Sequence, residues 1–497
     1  MMEKIALIEL SNSALRLSIY KVTENESFLF CKQLSESIGI DEHLEGAQLI
    51  KSPKFRECQA IIGRFKKVAE SDGVSRYITV ASQSLTMAKN FQSFVDELGR
   101  TVGLTFKVLT DSDEVSALYT ATTNTLDIPK GVIVNVTSNT TRIMYYNRRV
   151  VLDSVTLPFG SLSGCENVRE QIEKKAGFLK NIDPESVMVG IGEVITAYGK
   201  LARKLGKYPL EIAHNYQSNL DTFNQVFKFL NGLDPEKRQK LRGVSNQSAN
   251  TILFGMTIIQ AVLEVSGIKE IVTSKGYRNV GLMFQNVIPS TTDRPLSDML
   301  VHSLDTIISH AALHKREAVR NYELALILFK QLKALHRLPR SYARILRTAA
   351  FLSGLGKSVG ALNPERGNYH LISNLPLYGL THREHLMAAF VASYKKWEDF
   401  PLAEWVKYQA IMQEGDLETV KKLSHMLTLA GVLNIRNQDI VKDISCDILG
   451  DSVIIKLIAD PDGKKKIDHD ACALEVFYAS KLASEFQKAF GKNLDVL

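Results

Sequence analysis

The chain has 497 residues, of which 45% are hydrophobic and 23% charged, and a formal net charge of +7. The length predicts about two to four domains, and the composition excludes a disordered or low-complexity chain. Its five scattered cysteines form no CxxC pair, which excludes a zinc ribbon and a disulfide framework. We expect a cytoplasmic protein with no membrane or nucleic-acid partner, since no signal peptide or membrane-spanning run is found.

The first predicted element is a hairpin at the start of the chain. An apolar strand over 5–10, which contains Glu9, leads into a second strand over 15–20 through the small polar residues Ser11, Asn12 and Ser13. Such a loop can direct backbone N–H groups and hydroxyls towards an anion. An ordinary polar turn remains an open alternative, because Asn and Ser are common turn residues.

Helices and short strands alternate after this hairpin. The apolar spacing predicts helices over 55–71 and 91–99, and a strand over 105–109. Asp113 and Glu114 follow that strand, just before a predicted helix. An acidic pair at this place caps the first turn of the helix, which is the favoured interpretation, or supplies a general base at the edge of a cleft.

A second hairpin near residue 135 repeats the first. An apolar strand over 131–134 is followed by Asn135, by a loop and by a returning strand over 143–146; the loop carries Thr137, Ser138, Asn139 and Thr140. Two similar hairpins suggest a duplicated domain. Further along, Arg278 follows a strand over 271–274, where a cation could reach a phosphate.

The remainder of the chain is mostly helical. Helical segments continue to about residue 437, and His382 and His385 lie there at an i, i+3 spacing. Surface or capping histidines are favoured over a metal site, because no HExxH motif accompanies them. A strand over 453–458 and one amphipathic helix over 473–490 end the chain.

Taken in order, these segments resemble the exopolyphosphatase/guanosine pentaphosphate phosphohydrolase (Ppx/GppA) family over nearly the whole chain. The family's two phosphate loops read roughly I-D-L-G-S-N-S-x-R-L and D-I-G-G-G-S-T-E, and they correspond to residues 8–17 and 135–142. Its I-S-G-x-E-E-A segment matches residues 109–115, and its S-D-x-G-x-R-E-G segment resembles residues 273–280.

The resemblance implies an α/β fold of two actin-like (ribonuclease H-like, ASKHA) domains, over 1–128 and 129–303. An all-α HD-like domain over 304–437 and a small C-terminal α/β unit over 438–497 are expected to follow. The resemblance also implies paired subunits.

For function, the resemblance implies removal of a terminal phosphate from polyphosphate or a guanosine polyphosphate by a Mg²⁺-assisted water. Asp113 and Glu114 would supply the base. Glu9 and Asn135 would hold the metal. The phosphate would be bound by Arg278 and by the two loops, that is, by Ser11, Asn12, Ser13, Thr137, Ser138, Asn139 and Thr140.

The chain departs from the family pattern at chemically important positions. The loops lack the family's glycines, Asn135 replaces an Asp, and Arg142 replaces an acid. Thr86 stands at the position of an Arg, and Ser353 and Gly354 stand at the HD positions. Two interpretations are therefore retained: an active phosphohydrolase, or an impaired member that binds a polyanion or nucleotide as a sensor or scaffold. An actin-like kinase or ATPase is least supported.

Overall fold

A computed structural model describes residues 2–40, 49–241, 246–459 and 471–497. Within these ranges the chain forms two compact units; the first ends at Met299 and the second begins at Leu300. None of the helices in the described ranges is long and apolar enough to cross a membrane.

A mixed sheet opens the first unit. Its strands in the described residues are β1 (Glu3–Leu10), β2 (Ala14–Val22), β3 (Phe28–Ser37), β4 (Arg76–Ala81) and β5 (Lys107–Val108). They lie in the order β3-β2-β1-β4-β5. β1 pairs antiparallel with β2 and parallel with β4. As an inner strand β1 is buried almost throughout, which explains its near-continuous apolar sequence.

A second mixed sheet follows in the same unit. Its described strands are β6 (Lys130–Val136), β7 (Thr141–Asn147), β8 (Val150–Leu157), β9 (Val187–Ile191), β10 (Tyr216–Asn219) and β11 (Glu270–Ser274). They lie in the order β10-β11-β9-β6-β7-β8. The sequence did not predict β8, because this edge strand exposes Val150 and Leu152 and lacks a regular alternation of apolar residues.

Helices cover both sheets of the first unit. They are α1 (Ser52–Ser71), α2 (Phe91–Val102), α3 (Asp111–Thr125), α4 (Val168–Lys175), α5 (Glu193–Leu205), α6 (Leu220–Asn231), α7 (Pro235–Gln239), α8 (Asn246–Ser266) and α9 (Arg278–Val287). Ile62 and Phe65 of α1 share a core with Ile8 of the first sheet. Ile259 of α8 shares a core with Val134 of the second. The predicted α/β class is confirmed, and the structure adds that both sheets are mixed.

Two of these helices, α3 and α9, come from different sheets and pack against each other. α3 follows β5 of the first sheet, and α9 follows β11 of the second. They pack at very short range, since a Cβ added to Gly281 would lie 1.8 Å from the carbonyl oxygen of Ala117. Only glycine permits this approach, which brings the beginnings of α3 and α9 together.

The second unit is largely helical. Its helices are α10 (Met299–His310, with Met299 at the boundary), α11 (Lys315–Gln331), α12 (Lys333–His336), α13 (Ala343–Leu352), α14 (Leu355–Ser358), α15 (Pro364–Ile372), α16 (His382–Val391), α17 (Leu402–Lys407), α18 (Asp416–Leu433), α19 (Ala473–Ser480) and α20 (Ala483–Phe490). The single helix predicted over 473–490 is wrong, because the chain breaks between α19 and α20.

A small sheet completes the second unit. Within the described residues it consists of β12 (Asp443–Leu449), β13 (Ser452–Ile458) and β14 (Asn493–Val496), in that order. β12 and β13 form an antiparallel pair, and β14 runs parallel to β13.

The two histidines singled out in the sequence lie at the start of α16. His382 and His385 are both buried, so the surface interpretation is wrong, and the side chain that caps α16 is that of Thr381. The Nε2 atom of His385 lies 2.6 Å from the carbonyl oxygen of Ile372. Burial lowers the pKa of His385 despite this hydrogen bond. The spacing of the pair therefore reflects packing of α16 in the helical core.

Candidate active site

The candidate site lies in the first unit, where α3 and α9 begin. α3 starts at Asp111 because Thr110 and Asp113 form a capping box. The hydroxyl of Thr110 accepts a hydrogen bond from the backbone amide of Asp113, and the Asp113 carboxylate accepts one from the backbone amide of Thr110. This capping box satisfies two backbone donors at the start of the helix. It also fixes the orientation of the first turn, from which Glu114 points into the protein interior with only 3% of its surface exposed.

Both carboxylate oxygens of Glu114 have partners, Oε1 through hydrogen bonds and Oε2 through an ion pair. Its Oε1 accepts from the Ser82 hydroxyl at 2.6 Å and from the Gln83 amide at 3.2 Å. The same oxygen accepts from Nη1 of Arg278 at 2.8 Å. Its Oε2 lies 2.6 Å from Nη2 of Arg142. Three donors share Oε1, and one guanidinium faces Oε2, so the carboxylate has a partner at each oxygen and Oε2 is the less crowded of the two.

Arg278 joins the two carboxylates that line the beginning of α9. Besides Glu114, its Nε and Nη2 atoms each lie 3.1 Å from Oε1 of Glu9, at the end of β1. Burial by itself lowers the pKa of Arg278, but Glu9 and Glu114 outweigh that effect and raise the pKa above its ordinary value. Arg278 is therefore a permanent cation between two acids, and its guanidinium already has anionic partners.

Arg142 is the second arginine that contacts Glu114, and it lies on the second sheet. It lies on β7 directly opposite Asn135 of β6 and is 4% exposed. Its Nε donates to Oδ1 of Asp111 at 3.1 Å, while Oδ2 of Asp111 accepts from the Thr156 hydroxyl at 2.7 Å. Together with the contact to Glu114, the planar guanidinium bridges two acids of the same helical turn.

These contacts define a connected group of charges, which we call the charge cluster. It consists of three carboxylates and two guanidiniums: Glu9, Asp111, Glu114, Arg142 and Arg278. With every group ionised, the five side chains sum to −1. The cluster connects the end of β1, the starts of α3 and α9, and strand β7, so it spans both sheets of the unit.

Asp113, the other predicted base, lies outside the charge cluster. Its Oδ2 accepts from the Thr110 amide at 2.8 Å and its Oδ1 from Lys107 at 2.8 Å. Partial burial by itself raises the pKa of Asp113, but the hydrogen bonds from Lys107 and Thr110 outweigh it and lower the pKa to about 2. The structure thus separates the acidic pair: Asp113 caps α3 and Glu114 enters the cluster.

The first predicted phosphate loop is closed by hydrogen bonds to the protein itself. The hydroxyl of Ser11 donates to the carbonyl oxygen of Ala14 at 2.9 Å, and the side-chain amide of Asn12 donates to that of Ser84 at 3.0 Å. The carbonyl oxygen of Ser13 accepts from the amide of Ile38 at 2.9 Å. Ser11 and Asn12 therefore stabilise the turn; Asn12 is buried, while Ser11 and Ser13 are half-buried.

The second loop is similarly occupied. The hydroxyls of Thr137 and Thr140 lie 2.9 Å apart, and the carbonyl oxygen of Ser138 accepts from the amide of Leu162 at 2.8 Å. Gly160 packs against this loop so closely that an added Cβ would lie 2.3 Å from the carbonyl oxygen of Thr137. The following turn thus covers one side of the loop and leaves Ser138 and its neighbour Asn139 half-buried.

The residues expected to hold Mg²⁺ do not form a metal-binding group. The side-chain amide of Asn135 donates to the carbonyl oxygen of Ile191 at 3.2 Å. Glu9 faces Arg278. Among the described residues, no three His, Cys, Asp or Glu side chains are arranged to hold a metal ion. Mg²⁺ prefers several oxygen ligands in near-octahedral geometry, and the donors present do not fit it.

Several members of the site were not among the residues predicted from the sequence. Asp111, Ser82, Gln83 and Thr156 all contact the charge cluster or belong to it. The sequence carried one general signal: a cation at Arg142, beside the apolar run of β7, requires a counterion, although it does not say which acid supplies it.

Comparisons with known proteins agree with this architecture. The sequence model described as the Ppx/GppA phosphatase family matches residues 40–287. A guanosine-5'-triphosphate,3'-diphosphate pyrophosphatase of Aeromonas salmonicida is 20% identical over 382 residues, which cover 72% of this chain and 75% of that protein.

Solved structures support the fold. The Aquifex aeolicus member of the Ppx/GppA family is 20% identical, with a TM-score of 0.52 over 58% of this chain and 99% of that one. An exopolyphosphatase of Cytophaga hutchinsonii is 13% identical, with a TM-score of 0.51 over 57% of this chain and 98% of that one. At these identities the likeness extends to the fold alone.

Proposed function

Because the chain belongs to the Ppx/GppA phosphatase family, we propose that it is a hydrolytically impaired member that binds polyphosphate or a guanosine polyphosphate as a sensor or scaffold. One observation carries the proposal: both oxygens of Glu114 are engaged, Oε1 with Arg278 and Oε2 with Arg142. A general base needs a lone pair within hydrogen-bond reach of the water that it deprotonates. Oε1 already accepts from three donors and Oε2 faces the buried Arg142 guanidinium, so a water that uses Glu114 as its base has to compete with that cation.

The size of this barrier favours impairment over normal catalysis. Displacing one donor from a buried carboxylate that keeps its other partners costs about 1–3 kcal/mol. If that energy is added to the activation barrier, the rate falls by roughly 5–150-fold. The glycines and the Asp that the family pattern has in its second loop are also replaced here by Thr137, Ser138, Asn139 and Asn135. Each replacement removes part of the phosphate and metal environment.

The names of the similar proteins support the ligand class. One is a pyrophosphatase of a guanosine polyphosphate and another an exopolyphosphatase, so linked phosphates are the common feature. In this chain Ser13, Ser138 and Asn139 lie half-buried at the two loop tips. A phosphate oxygen can replace Oε1 of Glu9 as the partner of Arg278, because both are negatively charged oxygens that a guanidinium binds.

The proposal includes the features that the resemblance implies for the rest of the chain. The actin-like domains extend over 1–128 and 129–303, and paired subunits and a cytoplasmic location belong to the same proposal. The helices over 304–437 form a degenerate HD-like domain, followed by the small unit over 438–497. In support, Ser353 and Gly354 stand where the HD motif would have its histidine and its acid, and the Ser353 hydroxyl donates to the carbonyl oxygen of Ala350 at 3.0 Å.

A second candidate function is an active, exopolyphosphatase-type phosphohydrolase. The observation in its favour is that two carboxylates, Glu9 and Glu114, remain on the same guanidinium at the beginning of α9. Displacement of Arg278 by substrate would free Glu9 and remove one of the three donors from Oε1 of Glu114, which would then be the base.

Binding and hydrolysis should be measured in the same samples. Long-chain polyphosphate and guanosine pentaphosphate are titrated into the wild-type chain, with free phosphate followed over time. Arg278→Gln tests the site, and Arg64→Gln, at an exposed position of α1, is the matched control. We expect saturable binding that weakens with salt and with Arg278→Gln, without phosphate release.

Two results would count against this function. Phosphate release by the wild type at the rate of an efficient hydrolase would establish the second candidate instead. Binding that is insensitive both to salt and to Arg278→Gln would show that the ligand does not bind at the charge cluster.

A further inference from the structure

The charge cluster contains its own positive charges. Carboxylates that converge in a protein interior require protons, a metal ion or basic side chains to offset their repulsion. Here Asp111 and Glu114 both face Arg142, at 3.1 Å and 2.6 Å. Glu9 and Glu114 both face Arg278, at 3.1 Å and 2.8 Å. Each neighbouring pair of acids is therefore bridged by one guanidinium.

We propose that Arg142 takes the place of a divalent cation in this site, so that the charge cluster forms and persists without Mg²⁺. This inference goes beyond the proposed function, because it concerns the cation and is independent of whether a phosphate is bound or cleaved. The reason is the position of the guanidinium: Asp111 and Glu114, the acids that could share a metal ion, both contact Arg142 instead.

The geometry of Arg142 suits this role. Its planar guanidinium presents donors in a fixed fork, so Nε can serve Asp111 while Nη2 serves Glu114. The side chain is almost fully buried, and β7 holds its backbone in register with β6 and β8. Because β7 is paired on both sides, its backbone has little freedom to move, and the position of the guanidinium is fixed.

The same arrangement disfavours entry of Mg²⁺. A metal ion would need the oxygens of Asp111 or Glu114 at about 2.0–2.1 Å. Those oxygens are the ones that face Arg142, so the ion would be placed beside a buried guanidinium of like charge. Removing the guanidinium while retaining the acids should therefore convert the cluster into a divalent-cation site.

The test is Mn²⁺ binding to the full chain without any phosphate ligand, followed by electron paramagnetic resonance and calorimetry. The variants are Arg142→Gln, Arg142→Lys, Glu114→Gln and Arg142→Gln/Glu114→Gln. Arg64→Gln is the control for the loss of one positive charge at an exposed position. Circular dichroism and thermal melting show whether each variant is folded.

We expect Arg142→Gln to gain one Mn²⁺ site that the wild type lacks. In the double variant its affinity should fall by roughly 10–100-fold, the usual effect of a lost partner at a metal site. Arg142→Lys, which keeps the charge, and Arg64→Gln should gain no site. Weak Mn²⁺ binding elsewhere on the chain should be equal in the wild type and in Glu114→Gln.

Either of two results would overturn the inference. The first is a wild-type Mn²⁺ site that Glu114→Gln removes, and this comparison remains decisive even if Arg142→Gln fails to fold. The second is a folded Arg142→Gln variant that gains no site. Since no phosphate ligand is present, these outcomes do not depend on whether the proposed function holds.

Discussion

Buried charges are arranged differently in the two compact units. In the second unit the two acids that are buried among the described residues form one-to-one pairs: Asp416 with Arg383, and Glu475 with Arg436. The Nε of Arg383 lies 2.7 Å from one oxygen of Asp416, and Nη2 contacts the other. Each buried acid thus has a bidentate partner and no excess charge, which is how an ion pair fixes the packing of helices.

In the first unit the arginines are shared. Glu114 contacts two guanidiniums, each guanidinium contacts two acids, and the total is −1. A shared and unbalanced network is a poor way to stabilise a fold, because the cost of burying its charges is incompletely offset. The comparison therefore assigns the larger stabilising role to the pairs of the second unit.

The largest expected effect tests the one-to-one arrangement. Arg383→Gln should lower the free energy of unfolding by about 3–5 kcal/mol, because it leaves the buried carboxylate of Asp416 without a cation. Urea unfolding of the full chain measures the loss. Lys237→Gln, in an exposed pair with Asp234, is the control and should change stability by about 0–1 kcal/mol. An Arg383→Gln effect as small as that of the control would contradict the distinction between the units.

The shared arrangement predicts a smaller effect. Arg142→Gln should lower the free energy of unfolding by about 1–3 kcal/mol. Glu114 keeps Arg278, and the side chain of Asp111 is exposed enough to be hydrated. A double-mutant cycle with Asp111→Asn should give a coupling energy of roughly 0.5–3 kcal/mol. No measurable coupling would show that the Asp111–Arg142 contact contributes nothing to stability.

The smallest expected change in stability is that of Asp113→Ala, which tests whether Asp113 caps α3. Asp113→Ala should cost about 0.5–2 kcal/mol, as loss of a helix cap does. The folded chain lowers the pKa of Asp113 from 3.8 to about 2, so this stabilisation is complete above pH 3.8 and is lost as the pH falls through about 2. Urea unfolding at neutral and acidic pH should show that the variant lacks this part of the acid dependence. A difference between wild type and variant that persists below pH 2 would contradict the assignment.

Much of the fold was predictable because it depends on local patterns. The strands next to Glu9 and Asn135 are apolar runs that end at small polar residues, and both were found where the structure has them. α19 and α20 were merged into one helix, since their apolar residues keep a helical spacing across the break. A pattern within one segment carries no information about a short irregularity of this kind.

The charge cluster was only partly predictable, because it depends on contacts between distant segments. The motif alignment located Glu9, Glu114 and Arg278, which the structure brings together. It did not show that Arg142 would reach Asp111, a residue 31 positions earlier on a helix that follows the other sheet. The hydroxyls of Ser11 and Thr137 were expected to bind phosphate, yet they complete their own turns.

The central claim is that Glu114, held by Arg142 and Arg278, does not act as an efficient base. It is tested most directly by phosphate release from saturating long-chain polyphosphate in the presence of Mg²⁺, comparing the wild type with Glu114→Gln. This substitution keeps the shape of the side chain and removes the proton acceptor. Equal release at the background level in both proteins is the predicted result. Release by the wild type that disappears in Glu114→Gln would contradict the claim and identify Glu114 as a working base.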